Sequence, residues 1–183
     1  MKMLVINGSS RDHGNTEILT EHLLTGVPSY HVHLREHHVK PIVDQRHEAS
    51  GFHDVDDDYE SLIQKVLEHD LLFFATPLYW YGMSGQLKNF IDRWSQSLRN
   101  KNYDLRSAMA QKEAFFLVVG GDQIHRKALP VIEQFYYICD FLHIKPIGYL
   151  IGQGSKPGEV IKDRRAMAES KYWNKFFQDK LNG

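Results

Sequence analysis

The sequence predicts an α/β fold in which five parallel strands carry helices on both faces of one sheet. Three observations carry this. Continuous apolar runs at Met3–Ile6, Leu71–Ala75 and Ala114–Val119 have the composition of strands covered on both sides. Stretches with helical apolar spacing separate these runs. Each run ends in turn-forming residues, at Gly8-Ser9-Ser10, Thr76-Pro77 and Gly120-Gly121.

The elements follow in order. After Met3–Ile6 comes the loop Asn7–Thr16, then a helical stripe of Ile18, Leu19 and Leu23 over about 16–24. Tyr30 to Leu34 alternate and predict a second strand, with His31 and His33 on one face. Residues 35–58 show no clean periodicity and read as a long polar loop, the kind that is usually functional or mobile. Tyr59, Leu62, Ile63, Val66 and Leu67 match the amphipathic-helix template, and Asp57 with Glu60 resembles a capping box at its start. The aspartates at 54 and 56–58 therefore read as a cap and dipole complement rather than a cation site.

The third strand, Leu71–Ala75, is stopped by Thr76-Pro77. Ser84 is placed to cap a helix carrying Leu87, Phe90, Ile91 and Trp94. Residues 100–111 read as a polar connection before the fourth strand. Ala128, Ile132, Phe135, Cys139 and Leu142 form a helical stripe, in which Pro130 requires the helix to begin just before it. Ile147, Tyr149 and Ile151 alternate beside Pro146 and predict an edge strand. Gly152–Gly158 read as a turn, and Ala166, Trp173, Phe177 and Leu181 as a closing helix.

Strands alternating with helices imply a parallel sheet with right-handed crossovers. The flavodoxin-like order 2-1-3-4-5 fits five strands in a three-layer sandwich. It puts a ligand crevice at the carboxyl ends of strands 1 and 3. The 183 residues make one domain, 1–183, large enough to bury roughly 70% of the unfolded surface.

Composition narrows the function classes. A net charge of −1 gives no field for nucleic acid. No apolar run reaches the ~20 residues of a membrane span, and the N-terminus lacks a signal-peptide layout. A soluble cytoplasmic protein is expected. The lone Cys139 excludes an internal disulfide framework or a cysteine metal site.

Three loops lie at the ligand end of the predicted sheet. In Asn7–Thr16, Gly8 and Gly14 permit tight backbone paths, Ser9, Ser10, Asn15 and Thr16 supply polar groups, and Arg11 adds a charge. The following helix start makes this an anion site, most naturally for a phosphate. On its own, the loop fits equally a plain turn with Ser10 or Asp12 as a cap. It carries neither a dinucleotide glycine fingerprint nor a Walker lysine. The second loop, Pro77-Leu78-Tyr79-Trp80-Tyr81-Gly82, places three adjacent aromatics after a buried strand. They cannot all face one core, so at least one lies in the crevice, suited to a planar heteroaromatic ring. Packing against a neighbouring subunit is compatible with that. The third, Gly120-Gly121-Asp122, allows backbone to approach the opposite ring edge.

A phosphate at one end and a planar ring at the other describe FMN. Gly8-Ser9-Ser10-Arg11 with Gly14-Asn15-Thr16, followed by Thr76-Pro77-Leu78-Tyr79-Trp80 and Leu87-Lys88-Asn89-Phe90-Ile91-Asp92-Arg93, resembles the NADPH-dependent FMN reductase family. The likeness runs from about residue 1 to 151 and is strongest to the iron–sulfur flavoprotein branch. It implies FMN held at its phosphate by Ser9, Ser10, Arg11, Asn15 and Thr16. It places Pro77 to Gly82 along the ring, and Gly120, Gly121 and Asp122 at the pyrimidine edge. It further implies NADPH or NADH as donor, a small-molecule acceptor such as free flavin or a quinone, and a homodimer or homotetramer. The loop where the iron–sulfur branch carries its cysteines, 39–47, has none, which excludes a cluster. His37, His38, His47 and His53 match no zinc spacing. Hydride transfer needs no protein acid or base, so no catalytic residue is assigned. The rival reading is a flavodoxin-like electron carrier that needs a partner reductase; the near-zero net charge speaks against it.

Overall fold

The computed structural model describes residues 1–182. Strands β1 (Met3–Asn7), β2 (Tyr30–His33), β3 (Leu71–Pro77), β4 (Glu113–Gly120) and β5 (Lys145–Gln153) form one sheet in the order β2-β1-β3-β4-β5. All four pairings are parallel.

Successive side chains of the central strands feed opposite faces. Leu4, Ile6, Phe74 and Phe116 pack beneath α2 (Tyr59–Glu68), α3 (Gly85–Asp92), α4 (Trp94–Ser97) and α7 (Leu129–Leu142). Val5, Phe73 and Phe115 face the other way, against Leu19 and Leu23 of α1 (Asn15–Leu23) and Phe177 of α8 (Arg164–Asn182). Strands buried on both faces have no polar positions to alternate, which is why their sequences read as continuous apolar runs.

Several boundaries differ from the sequence expectation. β3 runs through Thr76-Pro77; the proline, at the last strand position, has no N–H to satisfy. The connection 100–111 contains a one-turn helix, α5 (Leu105–Met109), because Leu105 and Met109 both bury and Asp104 accepts from Ser107 N. A short helix α6 (Ile124–Lys127) precedes α7, and Pro130 sits in the first turn of α7, where its missing donor costs nothing. β5 is an edge strand, as Pro146 predicts, but extends to Gln153.

The expected capping box at 57–60 is not formed. The residue before α2 is Asp58, and its side chain makes no cap bond. Asp57 instead accepts from Tyr59 N, Lys40 N and the guanidinium of Arg93, the last at 2.6 Å. Both members of this ion pair are buried, at 1% and 3% side-chain exposure, so it is a structural clamp rather than a surface contact. Asp58 accepts from His38 N. Together these bonds tie the two ends of the long 37–58 segment to each other, to the start of α2 and to Arg93 just after α3.

Candidate functional site

Loops after β1, β3, β4 and β5 meet at the carboxyl edge of the sheet. They enclose a cleft of about 270 Å³ lined by Ser9, Arg11, Gly14, Asn15 and Thr16 on one side. Pro77, Leu78, Tyr79, Gly120 and Gly121 line the other, with Val119, Gly154 and Ser155 between. A second hollow joins it through Leu78, Gly121 and Ser155 and adds Trp80, Tyr81 and Asp122.

The first loop is built from its own polar side chains. Asn7 Oδ1 accepts from Ser9 N, and Ser9 Oγ both accepts from Arg11 N and donates to Arg11 O. Neither Ser10 nor Asp12 caps α1; the preceding residue is Gly14, with no side-chain cap bond. The N–H groups of Asn15, Thr16 and Glu17 have no carbonyl acceptor in their own helix and sit at its positive end. Arg11 is exposed at the cleft, and among the described residues its guanidinium makes no ion pair. An unpaired cation beside open helix N–H groups is an anion cradle. The Asn15 side chain is engaged elsewhere: Nδ2 donates to Lys156 O and Oδ1 accepts from Val160 N. That amide pins the loop after β5 against α1, leaving the Asn15 backbone N–H for a ligand.

Gly8 keeps the loop close to α3. A Cβ there would lie 2.7 Å from Ser84 Oγ and 2.8 Å from Leu87 Cβ. Ser84 caps α3 as expected, accepting from Leu87 N at 3.3 Å.

The second loop folds back on itself, with Tyr79 and Gly82 exchanging backbone hydrogen bonds of 3.0 Å. The two residues at its tip, Trp80 and Tyr81, take left-handed conformations with φ of 48° and 63°. Non-glycine residues there cost of order 1–2 kcal/mol each, a strain found most often at binding sites. Trp80 is 96% exposed. Tyr81 lies under the Lys127 ammonium at 5.3 Å, and Lys127 also pairs with Asp122 at the cleft rim. Ser10 Oγ and Tyr79 Oη are 3.4 Å apart, so the first two loops touch.

Most residues expected at the site are thus brought together; Ser10 and Gly82 shape their loops rather than line the cleft. The sequence analysis missed Gly154 and Ser155. Their signal was positional: they follow the fifth strand at the same sheet edge as the other three loops.

Histidines of the 37–58 segment form no common ligand set. Among the described residues the one group of three such ligands is Asp12, His13 and Glu17. Its charge is already met by Arg35 Nη2, 2.8 Å from Asp12 Oδ1 and 3.3 Å from Glu17 Oε1. Cys139 is buried in the core, and burial pushes its thiol up to about 12, far from a nucleophile or metal ligand at neutral pH. No described helix is long and apolar enough to cross a membrane.

Known proteins resemble this chain. A 44% identical protein of Bacillus subtilis strain 168, YwqN, is provisionally named an NAD(P)H-dependent FMN-containing oxidoreductase; the match covers 92% of this chain and 93% of that one. The iron–sulfur flavoprotein MJ1083 of Methanocaldococcus jannaschii is 26% identical over 89% of this chain and 88% of its own. Among solved structures, the Trp repressor binding protein from Bacillus subtilis superposes with a TM-score of 0.79 at 38% identity, covering 94% of this chain and 96% of that one. The family model described as NADPH-dependent FMN reductase matches residues 1–156, the segment that supplies three of the four cleft loops and reaches into the fourth. By that match, and by its identity to YwqN over nearly the whole of both chains, this protein belongs to the NADPH-dependent FMN reductase family.

Proposed function

We propose that the protein is an NAD(P)H-dependent FMN oxidoreductase that delivers reducing equivalents to a small acceptor, such as a free flavin or a quinone. The observation that carries this reading is the chemistry of the two cleft ends. One end offers the unpaired Arg11 and the open N-terminus of α1. The other offers Leu78, Trp80 and Tyr81 around the second hollow, with Tyr79 lining the adjoining cleft.

These residues fit FMN. Arg11, the Ser9–Thr16 backbone and the Thr16 hydroxyl would hold the phosphate. The side chains and backbone from Pro77 to Gly82 would flank the ring. Among the described residues the N–H groups of Gly121 and Asp122 have no intrachain acceptor, so they are free to donate to the pyrimidine edge. Bound FMN supplies the hydride chemistry. The chain positions donor and acceptor against one ring edge, and its N–H donors favour negative charge at the other. The exposed apolar side chains of Leu129, Tyr137 and Phe141 on α7 support a homo-oligomer as the working form.

The test is optical. The purified protein should be yellow, and NADPH or NADH alone should bleach the flavin band under anaerobic conditions. A colourless protein that takes up no added FMN overturns the reading. Bound flavin that neither nucleotide reduces would make the protein a carrier that depends on a partner reductase.

A further inference from the structure

Arg35 lies in the short turn Leu34–Glu36 that follows β2 and is not among the residues that line the cleft, yet its guanidinium reaches the start of α1. We propose that Arg35 is a positioning residue for the flavin phosphate: it cancels the carboxylates of Glu17 and Asp12, which would otherwise repel a dianion there, and keeps Glu17 where it braces the phosphate loop. The inference rests on the reading of the cleft as the FMN site, and it adds a residue that acts on the cofactor through its neighbours.

Strand pairing brings Arg35 to this place. β2 lies beside β1 with His33 level with Asn7, so the chain leaves β2 alongside the loop that leaves β1. Leu34 is buried and anchors the turn. Arg35 Nη2 then stands 2.8 Å from Asp12 Oδ1 and 3.3 Å from Glu17 Oε1, and Nη1 stands 2.9 Å from His33 Nδ1. These bonds join the turn after β2 to both the phosphate loop and α1.

Glu17 is the reason a cation is needed. Its backbone N–H is one of the open donors at the start of α1, while its carboxylate is buried, at 7% side-chain exposure. Oε2 accepts from His13 N at 2.8 Å, which fixes the loop where His13 takes a left-handed φ of 49°. A carboxylate that reaches back from the first turn to an N–H ahead of the helix braces the entry of the chain. The same carboxylate competes with any bound anion for the positive end of the helix. Asp12 adds a negative charge from the loop itself, and the exposed Glu36 lies 3.5 Å from Arg35 Nη2. Without Arg35, the Glu17 and Asp12 carboxylates and a phosphate dianion would gather at one helix start with Arg11 as their cation. Salt screens a buried charge such as that of Glu17 only weakly.

The experiment titrates the flavin-stripped protein with FMN, riboflavin and inorganic phosphate at low ionic strength. Arg35→Met keeps an unbranched apolar side chain and removes the charge. It should raise the Kd for FMN by about tenfold or more and leave riboflavin affinity unchanged. Adding Glu17→Gln removes the uncancelled charge but keeps an acceptor for His13 N, and should restore most of the FMN affinity. Arg35→Met with wild-type FMN affinity overturns the proposal. So does an equal loss for FMN and riboflavin, which would make Arg35 a merely structural tie, or a double variant as weak as the single one. Asp12→Asn changes an exposed side chain and is safe for folding. It should tighten FMN by about threefold with riboflavin unchanged, and its failure to do so overturns the proposal even if Arg35→Met does not fold. A wild type that takes up neither flavin defeats the FMN reading instead. Inorganic phosphate then decides the role of Arg35: its binding should weaken in Arg35→Met, and equal binding to wild type and variant overturns the proposal.

Discussion

Gly121 and Ser155 meet without room for a methyl group: a Cβ on Gly121 would lie 1.8 Å from Ser155 Oγ. The loops after β4 and β5 are in contact there, and Gly154 N donates to Gly120 O at 2.9 Å alongside. Gly121→Ala should push these loops apart and weaken FMN binding by about tenfold or more. Adding Ser155→Gly removes the clashing hydroxymethyl and should restore most of the affinity. Flavin titrations of the single and double variants check this; a Gly121→Ala protein with wild-type affinity would refute the close packing.

Arg11 is the cleft cation that makes no ion pair among the described residues. Charge-assisted hydrogen bonds of this kind contribute about 1.5–3 kcal/mol, so Arg11→Ala should raise the Kd for FMN by about ten- to a hundredfold. Riboflavin, which lacks the phosphate, provides the control. Its affinity should not change, and equal losses for both ligands would place Arg11 somewhere other than at the phosphate.

The Asp57–Arg93 clamp makes stability depend on pH. Burial alone would raise the Asp57 carboxyl, but the donors Lys40 N, Arg93 and Tyr59 N outweigh it and hold it below the usual carboxylate range. A depressed folded value means the stabilisation is complete above the unfolded value near 4 and fades as pH falls through the folded one. Asp57→Asn leaves a buried guanidinium unpaired and should cost about 3–5 kcal/mol at neutral pH. Urea melts should show the gap to wild type shrinking as pH drops below about 4. A gap that stays constant to strongly acidic pH would contradict the clamp.

Much of this architecture was legible in the residues, for identifiable reasons. Phe73-Phe74 and Phe115-Phe116 sit in strands covered on both faces, so burial left a continuous apolar signature. Ser84 announced α3 because its cap bond is local, three residues long. The Asp57 clamp was hidden because its partner Arg93 is 36 residues away, and a local motif, the Asp57–Glu60 spacing, imitated a cap. Asn15 looked like a phosphate ligand by its neighbours in sequence. Its amide instead bonds residues 156 and 160, a contact that only the tertiary fold creates. Ser155 escaped notice for the same reason: nothing near it in the sequence marks the approach to Gly121.

Trp80 offers a test of strain at the cleft. It is 96% exposed, so replacing it loses little packing, while glycine tolerates its φ of 48°. Trp80→Gly should stabilise the flavin-free protein by about 1 kcal/mol, raising Tm by a few degrees. If the indole helps to form the acceptor site, the same variant should turn over its acceptor more slowly. A lower Tm in the flavin-free variant would show that the hairpin tip is not strained.

The same residue also gives the protein an optical reporter of its own. The chain has three tryptophans: Trp94 is buried at 3% exposure, Trp173 is half-buried against Phe115 and Phe177, and Trp80 stands in solvent beside the proposed ring site. A water-exposed indole emits at longer wavelength and is readily quenched by acrylamide, whereas the other two are shielded. The red edge of the fluorescence spectrum therefore belongs mainly to the cleft. Without any added label, that edge should dim as flavin fills the site, and the blue emission of Trp94 should follow unfolding separately.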